Sequence, residues 1–209
     1  MITIQEWKTA VANVARSNRF LVDFDMMLPA KEYDDPWAEY RKTNFFYRLG
    51  YLVQDAHIPN RTQSNIAVKF HGLRLELPGD YEHADFTIKF LNGKLGTDHK
   101  SNWYARNFFE KWMDLIQNVD VNNRLTSTAV ISLANITVTQ LGLTENDKLA
   151  SYQFRYAYPK ELSDITLSMG NSEVQTFNVT FAYSTWRFID PDTREESKNV
   201  TEPIPPGAI

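Results

Sequence analysis

With no cysteine among its 209 residues, this sequence can do chemistry only through histidines, carboxylates, hydroxyls and lysines. That absence removes disulfides, thiolate metal sites and thiol nucleophiles together. The four histidines are His57, His71, His83 and His99. His83 and Asp85 share one face of a strand, with Glu82 adjacent, but a metal site needs a further ligand converging on them. A solvated strand face accounts for them more simply. Residues 93–97 (GKLGT) approach a phosphate-binding loop and then fail it, because Leu95 follows Lys94 where the motif requires Ser or Thr. A hairpin turn is the better reading. Glu110 and Asp114 lie one helical turn apart, as solvated helix charge does. Neither a G-x-S-x-G nucleophile turn nor a metalloprotease histidine pair occurs. The sequence therefore points away from catalysis, with no metal and no cofactor expected.

Composition narrows the classes further. Hydrophobic residues make up 43% and charged residues 23%, as in a globular chain with one sizeable core. Twenty-six acidic against 22 basic side chains give a net charge of −4, which offers no general attraction to nucleic acid or anionic membrane. A basic stripe with interleaved aromatics is missing. No apolar run approaches the roughly 18 to 20 residues of a membrane span. The start, MITIQEWKTAVANVAR, is not patterned as a secretory signal, so the Asn-x-Thr sites at Asn60, Asn135, Asn178 and Asn199 read as incidental.

The elements that must position these residues are mostly strands. Residues 4–15 fit a short amphipathic helix. Phe20, Val22, Phe24, Met26 and Leu28 then alternate with Leu21, Asp23, Asp25 and Met27, the period of a half-buried strand. Residues 30–44 form a long loop carrying Tyr33, Trp37 and Tyr40, and loops of that length are usually functional. Residues 45–54 read as a strand bent at Gly50. Ile66, Val68 and Phe70, then Leu73, Leu75 and Leu77, then Phe86, Ile88 and Phe90 alternate with polar residues, with turns expected at Pro78-Gly79-Asp80 and Asn92-Gly93. Over 103–117, Tyr104, Phe108, Trp112, Leu115 and Ile116 recur as one stripe of an α-helix. Residues 128–141 are β-branched, with a change of face expected near Asn135. Tyr152, Phe154, Tyr156 and Tyr158 alternate with Ser151, Gln153 and Arg155, and Phe177, Val179, Phe181 and Tyr183 with Thr176, Asn178, Thr180, Ala182 and Ser184. About eight strands and one flanking helix predict a mainly-β barrel or sandwich over residues 1–189, with 190–209 as a Pro-containing tail.

Taken in order, several segments resemble the tail tube protein family of contractile-tailed bacteriophages. Arg16-Ser17-Asn18-Arg19-Phe20-Leu21-Val22 is similar to the opening of that family's first strand. Ala56-His57-Ile58-Pro59-Asn60-Arg61 resembles its "a-x-I-P-G-R" stretch, with Asn60 in place of the usual glycine. Asn102-Trp103-Tyr104 is similar to its "W-Y" helix start. Residues 152–159 (YQFRYAYP) and 177–186 (FNVTFAYSTW) resemble its "Y-x-L-x-x-A-x-P" strand and its "v-t-F-x-Y-x-x-w" ending. The resemblance covers residues 16–188.

That resemblance implies a structural virion protein of the phage tail, assembled in the host bacterial cytoplasm as stacked hexameric rings. Its partners would be copies of itself, then sheath and baseplate proteins, with DNA passing through the channel without specific binding. A baseplate tube initiator or related ring protein is the neighbouring alternative. A β-barrel ligand-binding module or hydrolase is the distant one, with Tyr152, Tyr156, Tyr158 and Tyr183 lining its pocket. Two sets of site residues follow. Thr176, Asn178, Thr180, Ala182 and Ser184 are expected to face the lumen, since they are polar, small and uncharged. Tyr33, Trp37, Tyr40, Pro205 and Pro206 are expected at contacts between subunits, because large aromatics are unfavourable to expose and prolines stiffen a tail before it docks.

Overall fold

The computed structural model describes residues 17–27, 35–93, 105–117, 133–142, 147–165 and 174–189. Its elements run β1 (Phe20–Met26), α1 (Ala38–Lys42), α2 (Phe45–Tyr51), β2 (Val53–His57), β3 (Arg61–Phe70), β4 (Leu73–His83) and β5 (Phe86–Leu91). There follow α3 (Ala105–Ile116), β6 (Ala134–Leu141), β7 (Lys148–Leu162), β8 (Thr176–Ala182) and β9 (Thr185–Ile189). The class is mainly β, as the alternating apolar pattern requires.

Seven of these strands make one antiparallel sheet in the order β1-β6-β7-β8-β5-β2, with β9 also on β7. The long β7 is its spine. Its first part pairs with β6 on one side and β9 on the other, and its last part pairs with β8. Strand β9 and the end of β8 follow β7 in one register as far as Pro159, where it shifts before Glu161, and the two are bridged where the Ser184 N–H donates to the Arg155 carbonyl at 3.1 Å. The barrel does not close: β1 and β2 are not paired with each other.

One aromatic core holds the sheet together. Phe86 of β5 stacks on Phe154 of β7, with ring centroids 4.1 Å apart. Phe24 of β1 approaches Phe90 at 6.0 Å and Phe181 at 6.4 Å. Helix α3 lies on this layer through buried Ala105, Phe108, Phe109 and Trp112. Phe109 meets Phe90 at 4.8 Å, and Trp112 meets Phe181 at 6.0 Å. Offset and tilted aromatic pairs of this kind add to simple area burial. The apolar stripe of the sequence thus finds its partner, although Phe109, outside that stripe, is as buried as Trp112.

Several local expectations are corrected. Residues 45–51 are helical, not a strand. Phe45 and Leu49 are buried while Tyr47 between them, which a strand would place on the same face, is 55% exposed, and that pattern suits a helix. Part of the 30–44 loop is helix α1. The turn between β3 and β4 is His71-Gly72, whose φ values of 46° and 81° are the positive pair a two-residue hairpin needs. Pro78-Gly79-Asp80 lies inside β4, opposite an irregularity between Gln63 and Asn65, and no positive φ occurs at Asn92 or Gly93. In β6 there is no change of face at Asn135: Ala134, Ile136 and Val138 are buried in strict alternation. The polar Thr139 is buried as well because its hydroxyl bonds to that of Ser151 at 3.1 Å.

In β7 the alternation does break, at Tyr156. Its φ of 55° marks a bulge, seen also as a shift in register with β6. Beyond Ser151, the buried residues are Phe154, Ala157 and Pro159, and Tyr158 turns outward. The expected helix start at Trp103 and Tyr104, and the tail 190–209, lie outside the described residues.

Candidate assembly surface

Among the described residues strands β3 and β4 pair only with each other and form a two-stranded ribbon apart from the main sheet. Ile66 stands across from Leu77, Val68 from Leu75 and Phe70 from Leu73, so six apolar side chains share one face. All six are exposed, between 41% and 70%. The opposite face carries Ala67, Lys69, Arg74 and Glu76, with Arg74 bonded to Glu76 at 3.2 Å and Asn65 to Glu76 at 3.3 Å. A sequence of this alternation expects a half-buried strand pair, yet nothing among the described residues covers the apolar side. Because these six are about half exposed, burying them is worth roughly 5 to 9 kcal/mol, half of about 1.5 to 3 kcal/mol each, and an isolated hairpin is marginal in water. The missing cover is therefore energetically large.

The second surface is the outer face of the main sheet. In β8, Phe177, Val179 and Phe181 are buried, while Thr176, Asn178, Thr180 and Ala182 take the other face and Ser184 continues it exposed. Thr180 and Thr87 of β5 approach hydroxyl to hydroxyl at 3.5 Å. The face extends through Thr137 and Asn135 of β6 to Asp23 and Asp25 of β1. It also carries Gln153 and Arg155 of β7 and Arg187 of β9. Burial raises both Asp23 and Asp25 above the ordinary carboxylate value, opposed by Lys148 and Arg41 respectively.

The residues expected at subunit contacts divide. Trp37 is only 2% exposed and belongs to the chain's own core, against Tyr40 at 5.8 Å, Phe108 at 5.4 Å and Trp112 at 6.2 Å. Its backbone N–H is accepted by Asp35, and Arg41 ties the strap down by donating to Asp35 at 3.1 Å and to the Met26 carbonyl at 2.7 Å. An aromatic in a long polar segment was folded inward, and its ring is unavailable for a partner. Tyr40 is half-buried over Phe45 at 4.9 Å. Tyr33, Pro205 and Pro206 lie outside the described residues.

The tyrosines that a ligand pocket would use do not converge. Tyr152 packs on Trp186 and Phe188 on the core side of β7, while Tyr158, past the bulge, is on the opposite face. The Tyr183 hydroxyl donates to the Ala84 carbonyl at 2.7 Å, and burial pushes its phenol up. His83 lies near the Tyr183 ring, and Asp85 is held by Lys160 at 2.7 Å. Among the described residues no three His, Asp or Glu side chains gather as metal ligands would. The hairpin was legible as two alternating strands, but its isolation from the core was not.

Comparison with known proteins agrees with this architecture. A family model described as phage tail tube protein matches residues 15–189. No curated protein matches the sequence significantly. Among solved structures, a chain from the anti-feeding prophage baseplate aligns with TM-score 0.56 and 15% identity, over 85% of this chain and 97% of that one. A chain from the sheath/tube terminator of an extracellular contractile injection system gives TM-score 0.55 and 12% identity, over 84% and 96%. One from the sheath-tube complex of such a system gives 0.52 and 12%, over 91% and 99%. At these identities the structural likeness is one of fold. The match over residues 15–189 is one of sequence, and by it the chain belongs to the phage tail tube protein family.

Proposed function

We propose that this tail tube protein acts by self-assembly, forming hexameric rings that stack into the DNA-conducting tube of a phage tail. The observation that carries the reading is the amphipathic β3–β4 ribbon. Six exposed apolar side chains on a hairpin outside the core are a large liability for a monomer and a natural contact for a neighbouring copy. Assembly on that face buries them.

The outer sheet face then becomes the wall of the channel. Thr176, Asn178, Thr180, Ala182 and Ser184 keep it hydrated and supply no cation to hold phosphates. Sheath and baseplate proteins are the remaining partners, the virion tail is the destination, and assembly takes place in the host cytoplasm. The role is structural, with no catalytic step.

The test is direct. Purified protein should form rings or tubes in negative stain and sediment as oligomers. Val68→Asp with Leu75→Asp should sediment as a folded monomer with an unchanged melting curve, because neither side chain belongs to the core. Normal tubes from that variant would remove the hairpin from assembly.

A further inference from the structure

We propose that Asp23 and Asp25 of one copy form an ion-pair seam with Arg187 and Arg155 of a second copy, closing the half-sheet β1-β6-β7-β9 head to tail. The inference rests on the self-assembly reading and specifies the chemistry of one interface within it.

The register places Asp23 and Arg187 at opposite ends of one row, and in the next row Asp25 at the β1 end with Arg155 one strand in from the β9 end. Asp23 stands across from Thr137, Thr137 from Gln153, and Gln153 from Arg187. In the next row Asp25 faces Asn135, and beyond the bulge Arg155 faces Thr185. Acid lies at the β1 end and base at the β7–β9 end. Strands spaced about 4.8 Å apart put β1 and β9 about 14 Å from each other, too far for Asp23 and Arg187 to pair within one chain, while Arg155 on β7 stands about 10 Å from β1 and makes no ion pair with Asp25.

Neither end is closed by an ion pair within the chain's described residues. Among the described residues the ion pairs are Arg41–Asp35, Arg74–Glu76, Arg106–Glu110 and Lys160–Asp85, and none involves these four side chains. The Nε–H groups of Arg155 and Arg187 both donate to one neutral acceptor, Gln153 Oε1, at 3.1 and 3.3 Å. Gln153 thus holds two guanidinium groups side by side, with most of their five donors each left for a carboxylate. The cations acting on Asp23 and Asp25 are Lys148 and Arg41, the latter already committed to Asp35 and the Met26 carbonyl.

Access fits the assignment. Among the described residues strand β9 pairs only with β7, and no described strand lies along its outer edge. On β1 the main chain at Val22 is covered by Gly50 of α2, so a neighbour meets this end through its carboxylates and not through added strand pairing. Like charges repel if two acidic or two basic ends meet, which selects head-to-tail contacts, the kind that close rings. The seam also neutralises two arginines on a face that passing phosphates would otherwise find.

Mixing charge-reversed proteins tests this. Asp23→Arg/Asp25→Arg is basic at both ends, and Arg155→Glu/Arg187→Glu is acidic at both. Each alone should need about tenfold more protein to form rings, while an equimolar mixture should restore them by alternation. All four reversals in one chain should restore them too. If a reversed variant does not fold by circular dichroism, Asp23→Asn/Asp25→Asn and Arg155→Gln/Arg187→Gln serve, each expected to weaken ring formation and its salt dependence. Wild-type levels of rings from either single-end variant would overturn the seam, as would failure of the mixture and the fourfold reversal. Normal rings from Arg155→Glu/Arg187→Glu that lose binding to duplex DNA would assign the arginines to phosphate and overturn it likewise. A wild-type protein that stays monomeric would instead remove the assembly reading beneath it.

Discussion

The backbone of Gly50 in α2 lies directly against the main-chain carbonyl of Val22 in β1, where any Cβ would collide with that oxygen. This contact seats α2 beside an edge strand and lets Phe45 and Leu49 reach the core. Gly50→Ala should therefore push the helix away from β1. Overpacking of this kind costs about 1 to 3 kcal/mol. Chemical denaturation of the variant should show that loss, and an unchanged midpoint would mean that α2 adjusts freely.

Trp112 is the hub of the helix-to-sheet contact. It is fully buried and touches Trp37, Phe109 and Phe181, joining the strap after β1, the helix and β8. Truncating a buried Trp to Ala costs about 3 to 5 kcal/mol, a large share of a domain's stability of about 5 to 15 kcal/mol. Trp112→Ala should yield little folded soluble protein. Thermal unfolding of whatever remains soluble checks this, and a wild-type melting curve would refute the hub.

The carboxyls of Asp23 and Asp25 give the unassembled chain a pH signature. Burial raises both above 3.8, against the pull of Lys148 on the first and Arg41 on the second. The folded state then holds these protons more tightly than the unfolded one, so the pair favours folding in acid. That advantage is complete below 3.8 and is lost as pH rises through the raised values. Asp23→Asn/Asp25→Asn should match wild type in acid and become relatively more stable toward neutral pH. Denaturant titrations on dispersed protein at several pH values measure the difference. A gap that shrinks with rising pH would give these carboxyls depressed values instead.

Most strands were legible because one side of each is covered by the core. Val22, Phe24 and Met26, or Phe177, Val179 and Phe181, announce themselves by period alone. Where the signal failed, a tertiary contact decided. FFYRLGYL carries apolar residues at both periods, and the approach of Gly50 to Val22 favours the helix. Tyr156 gives no sign of a left-handed bulge, since bulky residues rarely adopt that conformation. The hairpin face and the core strands have the same alternation, so the sequence cannot tell cover by its own chain from cover by a partner. The charge ladder was hidden for another reason: Asp23 and Arg187 are 164 positions apart, and only the register of four strands puts them in one row.

That register also selects the position at which to test the channel wall. Lysine in place of Thr180 would stand across from Glu161 and be neutralised there. Asn178 is the better position, being exposed and across from Lys89, whose other neighbour on β2 is Asp55. The native cations at this end of the face thus each have a carboxylate close by, Lys89 beside Asp55 and Lys160 bonded to Asp85. Asn178→Lys adds a cation with no carboxylate directly across from it, once per subunit and so repeatedly around every ring. The substitution lies off the core, and tubes should assemble normally. A repeated ring of uncompensated lysines binds phosphates and releases counterions, so its drag on DNA rises steeply as salt falls. Phage carrying Asn178→Lys should therefore eject DNA more slowly than wild type at low ionic strength and recover at high. Ejection that matches wild type at low salt, from tails of normal appearance, would show that β8 faces away from the channel.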